Sequence, residues 1–184
     1  MSTPAERAFE RIASETRFAG RIITVTDDTF RYGDGKTADR EIVRTTGAAA
    51  IVAVDGTDLW LVRQPREAVD DPDSLELPAG RLDKDGERPL ESAQRELAEE
   101  IGLQAERWTP LTVYRSSVGF TDEVVHLFLA EGLSTAPGEH DSGEDERIEI
   151  VRWPLADIDG AIAATRDAKT LLGLLLLERR RRAA

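Results

Sequence analysis

The chain has no cysteine, which excludes a disulfide framework, a thiolate zinc site and a cysteine nucleophile. It also lacks any apolar run approaching the ~20 residues needed to span a membrane. Met1 to Glu15 alternates charged and small residues and has no apolar signal-peptide core. Basic charge is scarce: 24 Lys and Arg against 36 Asp and Glu leave a formal net charge of -12. Nucleic-acid binding rests on clustered cations that displace counterions, so no nucleic-acid partner is expected. The exception is the run Arg179 to Arg182, which suits a helix end carrying cations against its dipole. These absences point to a soluble cytoplasmic protein without a membrane partner. If so acidic a chain handles a phosphate ester, a divalent cation has to neutralise carboxylates and phosphates together.

What is present suits one compact domain of 184 residues, with 40% hydrophobic residues. Ile22–Val25, Thr29–Tyr32 and Arg40–Thr45 read as short strands of an N-terminal antiparallel meander, separated by turns at Asp27-Asp28 and Gly33-Asp34-Gly35. Gly47 introduces the main body, where Ala48–Val54 and Leu59–Val62 flank Asp55-Gly56-Thr57-Asp58, a hairpin signature that predicts two central strands. A polar loop is expected over Pro65–Ser74, followed by Leu75–Ala79, and then a helix over Pro89–Ile101 opened by Pro89 and ended by Gly102. Trp108–Ser116, Val124–Ala130 and Ile148–Trp153 read as strands, with a loop rich in Gly, Ser and acids over Gly132–Glu146. Pro154–Thr165 and Asp167–Arg181 read as helices. The leucines of the second lie all round it, suggesting burial on more than one side, including between subunits. The architecture implied is an α/β (α+β) fold, a mixed β-sheet sandwiched between helices.

The chemistry concentrates in Arg95-Glu96-Leu97-Ala98-Glu99-Glu100. Glutamates four and three residues apart project from neighbouring positions of one helical face. Like charges so spaced cost an isolated helix ~0.2–0.5 kcal/mol per pair, and cations must compensate. Magnesium suits this demand, since it takes carboxylate oxygens, keeps waters and bridges to phosphates. A solvated acidic face would carry the same residues, but the glycine-flanked loop Gly80–Glu87 before the helix and Gly102-Leu103 after it add a backbone able to approach metal or phosphate.

Gly80 to Leu103, GRLDKDGERPLESAQRELAEEIGL, resembles the Nudix box GX5EX7REUXEEXGU, with U an apolar residue. It departs by one extra residue between Gly80 and Glu87, six instead of five, on a turn where an insertion leaves the helix register untouched. The resemblance implies a Nudix fold and pyrophosphate hydrolysis with Mg2+, or Mn2+ in its place. It makes Glu96 and Glu100 the principal metal ligands, Glu99 a further or water-mediated one, Glu87 and Arg95 a supporting pair, and Ala79 a backbone-carbonyl ligand. Arg63-Gln64-Pro65-Arg66, Leu75 to Gly80, Ser117 to Glu123, Arg40-Glu41 and Asp167-Ala168-Lys169-Thr170 further resemble the ADP-ribose pyrophosphatase group, which implies ADP-ribose as substrate. In the third of these segments Val118 stands where the group often has proline.

Arg40, Arg63, Arg66, Glu76, Gly119 and Phe120 are the candidate substrate contacts. A guanidinium at Arg66 suits a phosphate or ribose, and Glu76 either accepts hydrogen bonds from substrate or pairs with Arg66 or Arg63. Hydrolysis needs a base for the attacking water, and the resemblance to the ADP-ribose pyrophosphatase group implies Glu144 or Glu146 for it, Glu146 also as a metal ligand. His140 is a weaker candidate base, and His126, inside an apolar strand, reads as structural. Residues 1–46 are expected to form the meander and 47–184 the hydrolase domain, and the resemblance implies a homodimer in which the meander serves dimerisation. Two alternatives stay open: another nucleoside diphosphate sugar or a dinucleotide (NADH, FAD) as substrate, or a catalytically idle domain that senses ADP-ribose.

Overall fold

The computed structural model describes residue 5, residues 8–137 and residues 147–183. It divides into two compact units, one comprising residues 1–47 with 115–123 and the other residues 48–114 with 124–184.

The first unit is a three-stranded antiparallel sheet in the order β1 (Phe9–Ala19), β2 (Thr24–Tyr32), β3 (Thr37–Arg44). The expected glycine turn joins β2 to β3: Gly35 sits at φ 83°, and Tyr32 accepts its N–H at 2.9 Å. Two expectations fail here. Asp27-Asp28 is not a turn but the middle of β2, because Asp28 finds partners that a turn would not supply. Its fully buried carboxylate takes the Ser14 hydroxyl at 2.6 Å, the Arg11 guanidinium at 3.3 Å and the guanidinium of Arg44. Burial alone would raise the pKa of Asp28. Hydrogen bonds from Ser14, Thr26 and Arg11 and the charge of Arg44 outweigh it and hold the group below the usual carboxylate range. The second correction is β1 itself, a strand of 11 residues, all exposed, within a stretch that shows no alternation of apolar and polar residues. Segment 115–123 docks on β3 through Val43 N–H to the Phe120 carbonyl at 2.8 Å and Asp122 N–H to the Val43 carbonyl at 3.2 Å. Arg44 reaches Asp122 at 3.2 Å.

The second unit holds a seven-stranded mixed sheet, ordered β10 (Glu149–Pro154), β5 (Asp58–Arg66), β4 (Ala48–Asp55), β9 (Val124–Thr135), β8 (Leu103–Arg115). β4 and β5 are central, as their apolar runs predict. They pair only over Ala53–Asp55 and Asp58–Trp60 around Gly56-Thr57, with Gly56 at φ 56°. Beyond that they part, and β6 (Asp71–Glu76) pairs with the far end of β5 while β7 (Ala79–Arg81) pairs with the near end of β4. The expected Pro65–Ser74 loop is therefore mostly strand, turned by a single 3-10 turn at Glu67–Val69. Ion pairs across the turn, Arg63 to Asp73 and Arg66 to Glu76, compensate the polar residues. β9 likewise runs on to Thr135 through Gly132, past the expected start of a loop.

Period-two alternation along β4 divides the core. Ala49, Ile51 and Ala53 face α1 (Pro89–Ile101), whose Ala93, Leu97 and Ile101 are buried against them. Ala50 and Val52 face the other way, toward α2 (Ile158–Ala164) and α3 (Ala168–Ala183), where Ile158, Ala161, Leu174 and Leu177 complete the layer. Each fully buried leucine contributes about 1.5–3 kcal/mol, which fixes α1 firmly on the sheet. The bounds of α1 are those predicted. Pro89 occupies its first turn, Glu91 takes the Arg88 N–H at 2.9 Å, and Gly102 ends it at φ 68°. Leu171 and Leu175 of α3 are 39% and 49% exposed, so its leucines are buried on the sheet side within this chain. No helix among the described residues is long and apolar enough to cross a membrane.

Candidate active site

Arg95 organises the acidic face of α1. Its Nε and Nη2 form a bidentate fork on Glu87 at 2.9 and 3.0 Å, and its Nη1 donates to Glu96 at 2.6 Å and to Glu99 at 2.7 Å. One guanidinium thus holds three carboxylates, a task for which its planar five-donor geometry is suited and a lysine's is not. Hydrogen bonding to Glu87 is the main reason the Arg95 pKa stands far above the ordinary arginine value, and the same fork holds Glu87 below the usual carboxylate range. The insertion in the Gly80–Glu87 loop therefore leaves Glu87 in place to clamp Arg95, and Lys84 of that loop lies 3.7 Å from Glu99.

Glu100, only 5% exposed, accepts the Ala79 N–H at 3.0 Å. Gly80 follows. A Cβ added there would fall within the Glu96 carboxylate, so the glycine is required by close approach and not by backbone conformation. Glu96 and Glu100 are thereby fixed against the start of β7. Among the described residues no group of three His, Cys, Asp or Glu side chains is already converged as a metal site. The donor chemistry nonetheless fits a hard divalent cation. Glu96, Glu99 and Glu100 share one rigid face, with a backbone segment pressed against two of them, and a cation placed there would take their oxygens.

The other expected contacts divide. Arg66 donates from Nε and Nη2 to the buried Glu76 at 2.6 and 2.7 Å, and its remaining nitrogen donates no hydrogen bond to a described residue. Lys169 also pairs with Glu76. Burial acts to raise the Glu76 pKa, but the Arg66 hydrogen bonds and the Lys169 charge outweigh it and bring it down to about 2. Arg63 instead pairs with Asp73 at 2.7 Å. Arg40, Gly119 and Phe120 lie in the first unit, where they line an open pocket with Phe9, Phe30 and Tyr32. Phe9 meets Phe30 edge-on at 5.5 Å. Glu144, Glu146 and His140 lie outside the described residues. His126 sits in β9, where burial lowers its pKa.

Sequence reasoning missed Lys169 as a partner of Glu76, since a lysine 93 positions away leaves no local signal. It also missed Gly80 as a packing surface. The glycine at the head of the Gly80–Leu103 pattern carried that information, but only as a pattern.

Residues 43–174 match the NUDIX domain family. The chain is 38% identical over 170 residues to the ADP-ribose pyrophosphatase of Bacillus subtilis, covering 91% of each protein. It is 35% identical over 170 residues to the methanol dehydrogenase activator of Bacillus methanolicus, again covering 91% of each. A crystal structure of an ADP compounds hydrolase superposes with a TM-score of 0.85 at 25% identity, covering 99% of this chain and 98% of that one. The chain belongs to the Nudix family and has its fold. It is a Nudix pyrophosphohydrolase.

Proposed function

We propose that the chain hydrolyses the pyrophosphate of ADP-ribose to AMP and ribose 5-phosphate with a divalent cation, magnesium or manganese. The observation that carries this reading is the grouping of Glu87, Glu96 and Glu99 on Arg95 beside Glu100 on Ala79, together with the relative that bears the name ADP-ribose pyrophosphatase. Glu96 and Glu100 hold the cation, with Glu99 and the Ala79 carbonyl as further ligands. A cation bound there would lower the pKa of a water and screen the phosphate oxygens. Arg95 keeps the carboxylates oriented and Glu87 keeps Arg95 in place, so neither needs to touch the substrate. Arg66, steadied by Glu76, offers its remaining nitrogen to a phosphate or ribose oxygen. Arg63, Arg40, Gly119 and Phe120 make further substrate contacts, and Glu144 or Glu146 takes the proton of the attacking water, Glu146 also reaching the cation. The protein acts as a cytoplasmic homodimer in which residues 1–46 serve dimerisation.

A second reading is favoured by the relative named as an activator of methanol dehydrogenase: a Nudix domain that binds nucleotide and acts on a partner enzyme. The discriminating experiment measures AMP release from ADP-ribose with magnesium, for the wild type and Glu100→Gln, with ADP-glucose, NADH and FAD in parallel. Glutamine can still accept the Ala79 N–H through its amide oxygen while removing the negative charge. Turnover of ADP-ribose that chelation abolishes and that the variant lacks supports the hydrolase. Binding without turnover of any of the four substrates supports the second reading.

A further inference from the structure

The carboxylates of α1 depend on β6 and β7, and those strands are held in turn from the far end of the chain. Thr165 Oγ1 donates to the Leu75 carbonyl at 2.9 Å, and Lys169 pairs with Glu76. Thr170 Oγ1 accepts the Leu77 N–H at 2.8 Å. At Gly173 the helix backbone comes so close that an added Cβ would lie 2.6 Å from Leu77 Cδ1 and 3.0 Å from Val52 Cγ2. Three consecutive residues, Leu75, Glu76 and Leu77, are thus each gripped by residues of 165–173.

The Thr170 contact has a direction that packing alone would not need. Its hydroxyl, fully buried, donates to Asp167 Oδ2 at 2.6 Å, which turns a lone pair toward Leu77. Asp167 Oδ2 also takes the Thr170 N–H at 2.9 Å and lies 3.0 Å from Lys169. Two residues beyond Leu77 comes the Ala79 N–H that Glu100 accepts, and then Gly80 against Glu96. Pro78 lies between, its ring restricting rotation and its carbonyl held by the Ile51 N–H at 2.9 Å. A shift at Leu77 therefore reaches Ala79 with little slack.

We propose that Thr170, oriented by Asp167, is a positioning residue for the metal-binding carboxylates, setting the Leu77–Ala79 backbone on which Glu100 is held. The proposal rests on the assignment above of Glu96 and Glu100 to the cation. Manganese binding to the purified full chain, followed by electron paramagnetic resonance without nucleotide, tests it alongside thermal melts. Thr170→Val fills the space without the hydroxyl and its hydrogen bonds to Leu77 and Asp167, and it should weaken manganese binding about tenfold through the lost hold on Leu77. Thr170→Ser should bind manganese within about twofold of wild type, and the KM for ADP-ribose at saturating metal should not move in either variant. Gly173→Ala, which pushes on Leu77 while favouring the helix, should weaken manganese binding as well. A folded Thr170→Val with wild-type manganese affinity overturns the proposal, as does a serine variant as weak as the valine one. If the valine variant does not fold, a Gly173→Ala protein with unchanged affinity overturns it. Because manganese binding is read without turnover, a chain that failed to cleave ADP-ribose but lost manganese on Thr170→Val would sink the hydrolase reading and leave this one standing.

Discussion

Gly80→Ala isolates the close approach at the start of β7. The glycine is not in the left-handed region, so alanine costs nothing in backbone strain. Reducing the freedom of the unfolded chain should add about 0.4–1 kcal/mol of stability. The new methyl group, however, would occupy the position of the Glu96 carboxylate. Ordinary carbon contacts are about 3.5–4 Å, so that carboxylate must retreat by more than about 1 Å. The retreat draws it away from Arg95 Nη1, now 2.6 Å distant, and removes it from the face it shares with Glu99 and Glu100. A misplacement of about 1 Å in a reacting assembly costs on the order of 100-fold. The expected signature is therefore an activity loss of about 100-fold with a melting temperature equal to or above that of wild type. AMP release from ADP-ribose across a magnesium titration, with a thermal melt on the same preparation, measures both. An alanine variant with full activity would refute the claim that Glu96 works from the position it holds against Gly80. A variant that loses activity only by unfolding would refute the stability half of the argument.

Arg95→Lys keeps the charge but not the fork on Glu87 or the simultaneous bonds to Glu96 and Glu99, so kcat/KM should fall by about tenfold or more; steady-state kinetics with unchanged values would show that charge alone suffices there. Glu76 gives a pH prediction. Its folded pKa of about 2 lies below the ordinary 4.5, so its stabilising contribution is complete above about 4.5 and is lost as pH falls toward 2. The shift corresponds to roughly 3 kcal/mol. Melts of the wild type at pH 7 and pH 3 should differ by more than those of Glu76→Gln, and equal acid slopes in the two proteins would contradict the assignment.

Local periodicity and punctuation made much of this protein legible. A proline opens Pro89–Ile101 and a glycine follows it, and the ends are capped by near neighbours in sequence: Glu91 accepts the Arg88 N–H, and the Gly102 N–H donates to the Ala98 carbonyl. The Gly56-Thr57 hairpin and the alternation along β4 were equally local. The three glutamates and Arg95 sit at helical spacing, so their common face followed from spacing alone, and the box pattern named the chemistry.

Other features were settled by partners far along the chain. Asp27-Asp28 has the composition of a turn, yet Ser14, Arg11 and Arg44 from the neighbouring strands make an interior strand position possible for Asp28. β1 carries no alternation because all its residues are exposed, so pairing with β2 rather than burial defines it. Arg63 and Arg66 look equivalent in sequence, and only the hairpin register gives one to exposed Asp73 and the other to buried Glu76. The sequence by itself determined which carboxylates share a helix face, because a helix converts spacing into direction. Only the tertiary structure decided what holds that face in place, because Gly80, Thr170 and Lys169 act across gaps of 16 to 93 residues, where spacing carries no geometry.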